Sequence, residues 1–151
     1  MTRRINAGAG EERGERCIRQ RYPVTSSLPC QISKCSLCCH NTEMVLCDAD
    51  VKRIESLGYK REEFCVEVDG VLYLKNVNSA CVFLRNGLCK IYEYRPMGCA
   101  LYPLIYDPEL NICLLDHDCP NYYMFYFEEV HEKTIRKLVA EVFGEKVNGN
   151  A

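Results

Sequence analysis

The sequence predicts a small single α+β domain, with short hairpins and a C-terminal helix around an irregular centre organised by a cysteine-ligated metal cluster. Three observations predict it. Asp69-Gly70 and Asn86-Gly87, dipeptides that favour positive φ, each separate two short apolar runs, the pattern of tight hairpins. Met124, Phe127, Val130, Ile135, Leu138 and Val142 recur at helical spacing and stop near Gly144. Twelve cysteines in 151 residues fall mostly at loops and turns.

The length suits one domain with its own core. A net charge of -2 predicts no general affinity for nucleic acid, and no apolar run approaches membrane-spanning length. Met1 to Arg21 is polar and dotted with arginines, with no apolar h-region behind it. The expectation is a cytoplasmic chain whose thiols stay reduced and hold metal rather than cross-link.

Taken in order, residues 1–22 read as a flexible leader that includes Cys17, and residues 23–145 as the cysteine-cluster domain. Tyr22-Pro23 and Leu28-Pro29 punctuate the approach to Cys30-Gln-Ile-Ser-Lys-Cys35-Ser-Leu-Cys38-Cys39. Asp48 is placed to cap a helix running to Leu57, with Val51, Ile54 and Leu57 inward and Gly58 as its stop. Arg61 to Phe64 adds a helical turn. Phe64 to Val68 and Val71 to Leu74 form the first predicted hairpin; Cys81 to Leu84 and Leu88 to Tyr92 form the second. Pro103 to Tyr106 and Asn111 to Leu115 pair about Asp107-Pro108. Pro120 suits the first turn of the last helix, and residues 146–151 should fray.

The thiols divide by context. Cys30, Cys35, Cys38 and Cys39 form a loop cluster in which the short chain closes at little entropic cost. Cys81, Cys89 and Cys99 each sit beside a turn or break where backbone N–H groups can reach sulfur, and Cys119 precedes Pro120 in a loop. These eight are the candidate metal ligands. Cys65 and Cys113 lie inside apolar strand patterns and read as small buried hydrophobes; Cys47 precedes a helix.

Eight thiolates would serve two tetrahedral zinc sites of four cysteines each, or one iron–sulfur cluster with thiols left over. Adjacent Cys38 and Cys39 project differently and suit different metals better than one. Each tetrathiolate zinc site would carry a net charge of about -2, which Lys34, Lys90 and Arg95 are placed to offset. On the iron side, Cys30-x4-Cys35-x2-Cys38 has the plant-type ferredoxin spacing and needs one remote partner, from Cys65, Cys81 or Cys119. Spacing leaves zinc and iron both open. Covalent haem is excluded because Cys39, not histidine, follows Cys35-Ser-Leu-Cys38, and no βαβ context supports a thioredoxin-like role.

His40, His117 and His131 are read as non-ligands: two loop histidines and one at the edge of the last helix. Glu43, Asp116 and Asp118 lie near the cysteines without the spacing of a positioned acid–base pair.

The order C-x4-C-x2-C-C, then Cys81-Val-Phe-Leu-x3-Gly-Leu-Cys-Lys-Ile-Tyr-Glu-x-Arg-Pro-x-Gly-Cys-x2-Tyr-Pro103, then Cys119-Pro120, closely resembles the YkgJ-type cysteine cluster proteins, zinc- or iron-chelating domains. The resemblance spans Cys30 to Pro120. It implies metal ligation by Cys30, Cys35, Cys38, Cys39, Cys81, Cys89, Cys99 and Cys119. The first gap departs from the usual family form, which has two residues between its first two cysteines where this chain has four. A similar cluster occurs in flagellin lysine methylases, so an accessory or catalytic part in a protein-modifying enzyme stands as an alternative beside iron–sulfur electron transfer or redox sensing. No strand followed by a Gly-rich turn marks a methyl-donor site here, so the cluster carries over and the activity does not.

Overall fold

Apolar runs interrupted every few residues by Asn, Asp and Gly cannot extend into long strands, and within residues 20–144, which the computed structural model describes, the strands run two to four residues. Most of the expected leader, with Cys17, and the C-terminal segment 146–151 lie outside the described residues.

The chain opens with β1 (Tyr22–Pro23) and α1 (Leu28–Ser33), whose first turn accommodates Pro29 because an N–H there would have no helical partner. A 3-10 turn (Leu37–Cys39), β2 (Val45–Leu46) and α2 (Asp48–Glu55) follow. The cap of α2 is Cys47 rather than Asp48, because Asp50 Oδ2 reaches back to accept the Cys47 N–H at 3.1 Å. The single turn α3 (Arg61–Phe64) leads directly into β3 (Cys65–Val68). β3 and β4 (Val71–Leu74) make the first predicted hairpin, with Asp69 at φ 52° and Gly70 at φ 83°, and β2 pairs with the other edge of β4. The sheet order is β2-β4-β3, antiparallel throughout.

The second predicted hairpin is divided. β5 (Asn76–Val77) pairs with β6 (Ala80–Cys81), and β7 (Leu84–Arg85) pairs with β8 (Leu88–Cys89). Asn86 and Gly87 turn the latter as expected, at φ 54° and 78°. The former turns through Asn78 and Ser79, at φ 54° and 67°, with no glycine to signal it. A 3-10 turn (Tyr92–Tyr94) and α4 (Met97–Leu101) follow, then β9 (Leu104–Asp107) antiparallel to β10 (Ile112–Leu115).

The last helix begins later than Pro120. Tyr122–Met124 form a 3-10 turn, β11 (Phe125–Tyr126) runs parallel to β1, and α5 covers Glu129–Phe143. The aromatic run 122–127 favours extended pairing over helix. The helix start is then set at Glu128, whose N–H donates to His131 Nδ1 at 2.9 Å. Of the predicted stripe, Ile135 and Leu138 are buried, Phe127 lies outside the helix, and Val130 faces solvent.

Two cores result. Leu46, Val51, Ile54, Phe64, Leu74, Phe83 and Ile91 fill the first, between α2 and the β2-β4-β3 sheet. Val24, Leu101, Leu104, Phe125 and Ile135 fill the second, where α5 packs on α4 and β9. Among the described residues no helix is long and apolar enough to cross a membrane.

Candidate metal centre

Each candidate ligand is placed by a short local device. Lys34, at φ 56°, ends α1 in the left-handed region, and the chain folds back so that the Cys35 N–H donates to the Cys30 carbonyl at 3.0 Å. The four-residue gap is therefore one helical turn and its cap, which returns Cys35 beside Cys30. Cys38 and Cys39 follow in the 3-10 turn, held by Cys39 N–H to Ser36 O at 2.9 Å. From there His40 bridges to Ala80, and the Asn41 N–H donates to Ser79 O at 2.9 Å, which fastens Cys39 next to the hairpin that ends in Cys81.

Cys81, Cys89 and Cys119 share one pattern. The backbone N–H two residues on hydrogen-bonds to the sulfur: Phe83 for Cys81, Ile91 for Cys89 and Asn121 for Cys119. Such turns supply fixed donors to a thiolate, as the sequence predicts for Cys81 and Cys89; Cys99, for which the same is expected, lies in a helix instead. Cys99 lies within α4, inside the Arg95-Pro96-Met97-Gly98-Cys99 run.

The cysteines divide between the two cores. Cys39, Cys81, Cys89 and Cys99 pack against the first, and Cys30 and Cys119 against the second. The electrostatics follow this division except at Cys38, which acts on both sides. Burial raises Cys99 well above the ordinary thiol range, and charge on Cys38, Cys81 and Cys89 adds to it. Cys119 is pushed up to about 11 by burial first, with Cys30, Cys35 and Cys38 contributing. Cys30 is raised by burial and by its neighbours Cys38 and Cys35. Cys38 touches both groups: its own thiol is raised chiefly by a hydrogen bond with Cys39, and its charge reaches Cys30, Cys81, Cys89, Cys99 and Cys119. A cation facing these sulfurs would relieve the mutual repulsion that raises them.

All eleven cysteines of the described residues are free thiols. Among those residues no group of three or more His, Cys, Asp and Glu side chains stands arranged to hold an ion. The donor set nevertheless fits a thiophilic metal in its chemistry: thiols bordering each of two cores, with backbone N–H donors at Cys81, Cys89 and Cys119. Rotation of a cysteine between staggered wells moves its sulfur by ~3 Å without disturbing the backbone.

The remaining thiols are raised by burial and by charges other than those of the eight. Cys65 is buried in the first core, Cys47 caps α2, and Cys113 sits on β10 beside Glu132 and Arg136. His40 and His117 are exposed, His117 stacked on Tyr122 with ring centroids 4.0 Å apart.

Against known families, residues 29–122 match the model of the CxxCxxCC family, described as "Putative zinc- or iron-chelating domain". The match spans more than half of the chain. The chain belongs to this family. Its matched segment runs from the residue before Cys30 to past Cys119 and so contains all eight candidate ligands. No curated protein and no solved structure matches the chain.

Two clasps that hold the cysteine-bearing segments of this CxxCxxCC domain were not legible in the sequence. Asp50, fully buried, accepts from the Met97 N–H (3.0 Å), the Cys47 N–H (3.1 Å) and Arg53 (2.7 Å), while Arg53 Nη2 also donates to Arg95 O at 3.0 Å. Asp50 carries no sequence signal beyond its place in the first turn of α2. Tyr102 Oη donates to Asp116 Oδ2 at 2.6 Å, and Asp116 Oδ1 accepts the Asp118 N–H at 2.9 Å, which bends the loop into Cys119. Asp116 is thus a structural anchor, consistent with its lack of an acid–base partner in the sequence.

Proposed function

We propose that this zinc- or iron-chelating domain holds two metal ions in two tetrathiolate sets. Cys39, Cys81, Cys89 and Cys99 form the first; Cys30, Cys35, Cys38 and Cys119 form the second. The observation that carries the reading is the partition of six of the eight cysteines between two cores, Cys39, Cys81, Cys89 and Cys99 on one and Cys30 and Cys119 on the other, with Cys35 and Cys38 on the chain between Cys30 and Cys39. The thiols of Cys38 and Cys39 meet through a hydrogen bond, so the pair stands where the two proposed sets adjoin.

Zinc is the proposed ion. It accepts four thiolates in a closed tetrahedron and needs no further chemistry. Arg95, whose charge acts on Cys89, offsets part of the negative charge of the first set. Strands of two to four residues contribute little cooperative structure by themselves, so metal binding would contribute directly to folding.

A specific observation also favours an iron–sulfur cluster in the second set. Of the three remote cysteines that could complete Cys30-x4-Cys35-x2-Cys38, Cys119 is the one whose charge couples to both Cys30 and Cys35. Anaerobic purification followed by elemental analysis and a visible spectrum separates the two. Colourless protein with two zinc per chain supports the first reading. Brown protein with acid-labile sulfide supports the second. Protein that carries no metal, takes none up and stays folded in chelator defeats both.

A further inference from the structure

We infer that Asn121 is a positioning residue of the second thiolate set, donating one N–H to the sulfur of Cys30 and another to that of Cys119. The inference rests on the two-set reading and adds a residue that is not itself a ligand. Asn121 and Asp50 are the buried polar side chains of the described residues, Asn121 with 6% of its surface exposed. Asp50 is explained by the clasp on Met97. Asn121 lies 88 residues from its side-chain partner Ser33, to whose Oγ its Nδ2 donates at 2.9 Å.

An amide nitrogen carries two protons. One goes to Ser33 Oγ, which in turn donates to the Pro29 carbonyl at 3.0 Å and so ties Asn121 to the helix that presents Cys30. The other is left for Cys30, whose thiol the neighbouring Asn121 side chain holds down against the effect of burial. The backbone N–H of the same residue hydrogen-bonds to the Cys119 sulfur. One buried residue therefore reaches the first and last cysteines of the set, which are far apart in sequence. Donors to a metal-bound thiolate fix its orientation and draw off charge, and their loss usually weakens metal affinity ~10- to 100-fold. Asn121 itself is buried, so water is poorly placed to replace the donors it loses.

The test uses the full chain loaded with cobalt(II), whose thiolate-to-metal charge-transfer bands report sulfur donation, in competition with a chelator. Three variants are compared with the parent chain. Asn121→Leu removes the side-chain donors at similar volume. Asn121→Asp keeps the shape and replaces the donor by an acceptor. Ser33→Ala, at an exposed position, removes only the anchor. The expected result is that the first Asn121 variant releases one of two cobalt ions ~10- to 100-fold more easily, with a shifted charge-transfer band for that ion alone. Asn121→Asp should lose the same ion at least as readily, and Ser33→Ala should move the same band less far. Wild-type affinity and spectrum at both sites in all three variants would overturn the inference. So would equal loss of both ions, the mark of a general folding role. A parent chain that takes up no thiolate-bound cobalt would instead overturn the two-set reading, and this inference with it.

Discussion

The carboxylate of Asp50 accepts the backbone N–H of Met97 at 3.0 Å, across 47 residues of sequence. This bond fastens the first turn of α2 to the first turn of α4, two residues before Cys99. Arg53 closes the clasp by reaching Asp50 and the Arg95 carbonyl together. Asp50→Ala strands the Met97 and Cys47 N–H groups and removes the partner of Arg53, at a cost of about 3 kcal/mol in stability. Chemical denaturation of the metal-loaded chain measures this. On the two-set reading the same variant should also weaken the ion bound by Cys99 more than the other.

Tyr102 ties α4 to the Cys119 loop through Asp116. Burial, with the Asp116 carboxylate accepting its proton, raises the phenol above its ordinary value, so the hydroxyl stays a donor across the neutral range. Tyr102→Phe should cost about 1–3 kcal/mol. Chelator competition should show a looser ion in the set containing Cys119 and an unchanged one in the other. Equal loosening of both would contradict the placement.

Cys65 and Cys113 are predicted to leave metal content untouched. Cys65→Ala opens a small gap in the first core and should lower stability by about 1 kcal/mol. Cys113→Ala should do less, since that side chain is only partly buried. Elemental analysis of both purified variants checks this, and a lost ion in either would place a ligand outside the eight.

The turn chemistry was the most legible part of the sequence. Asp69-Gly70 and Asn86-Gly87 turn where a two-residue positive-φ pair must turn. Backbone donors beside Cys81 and Cys89 could be foreseen because each stands next to a turn, a local property. The start of the last helix was not legible: helical spacing through residues 124–130 competes with the extended preference of Tyr and Phe, and pairing of β11 with β1 decides it through a contact about a hundred residues away. Asp50 and Asn121 were invisible for the same reason. Their roles depend on Met97 and Ser33, partners that no periodicity connects to them.

The central claim, two thiolate sets divided between Cys38 and Cys39, is tested most directly by native mass spectrometry of Cys38→Ala and Cys39→Ala beside the parent chain. The parent should carry two ions. Each variant should retain one, and the double variant none. A parent with one ion, or either single variant losing both, would contradict the account.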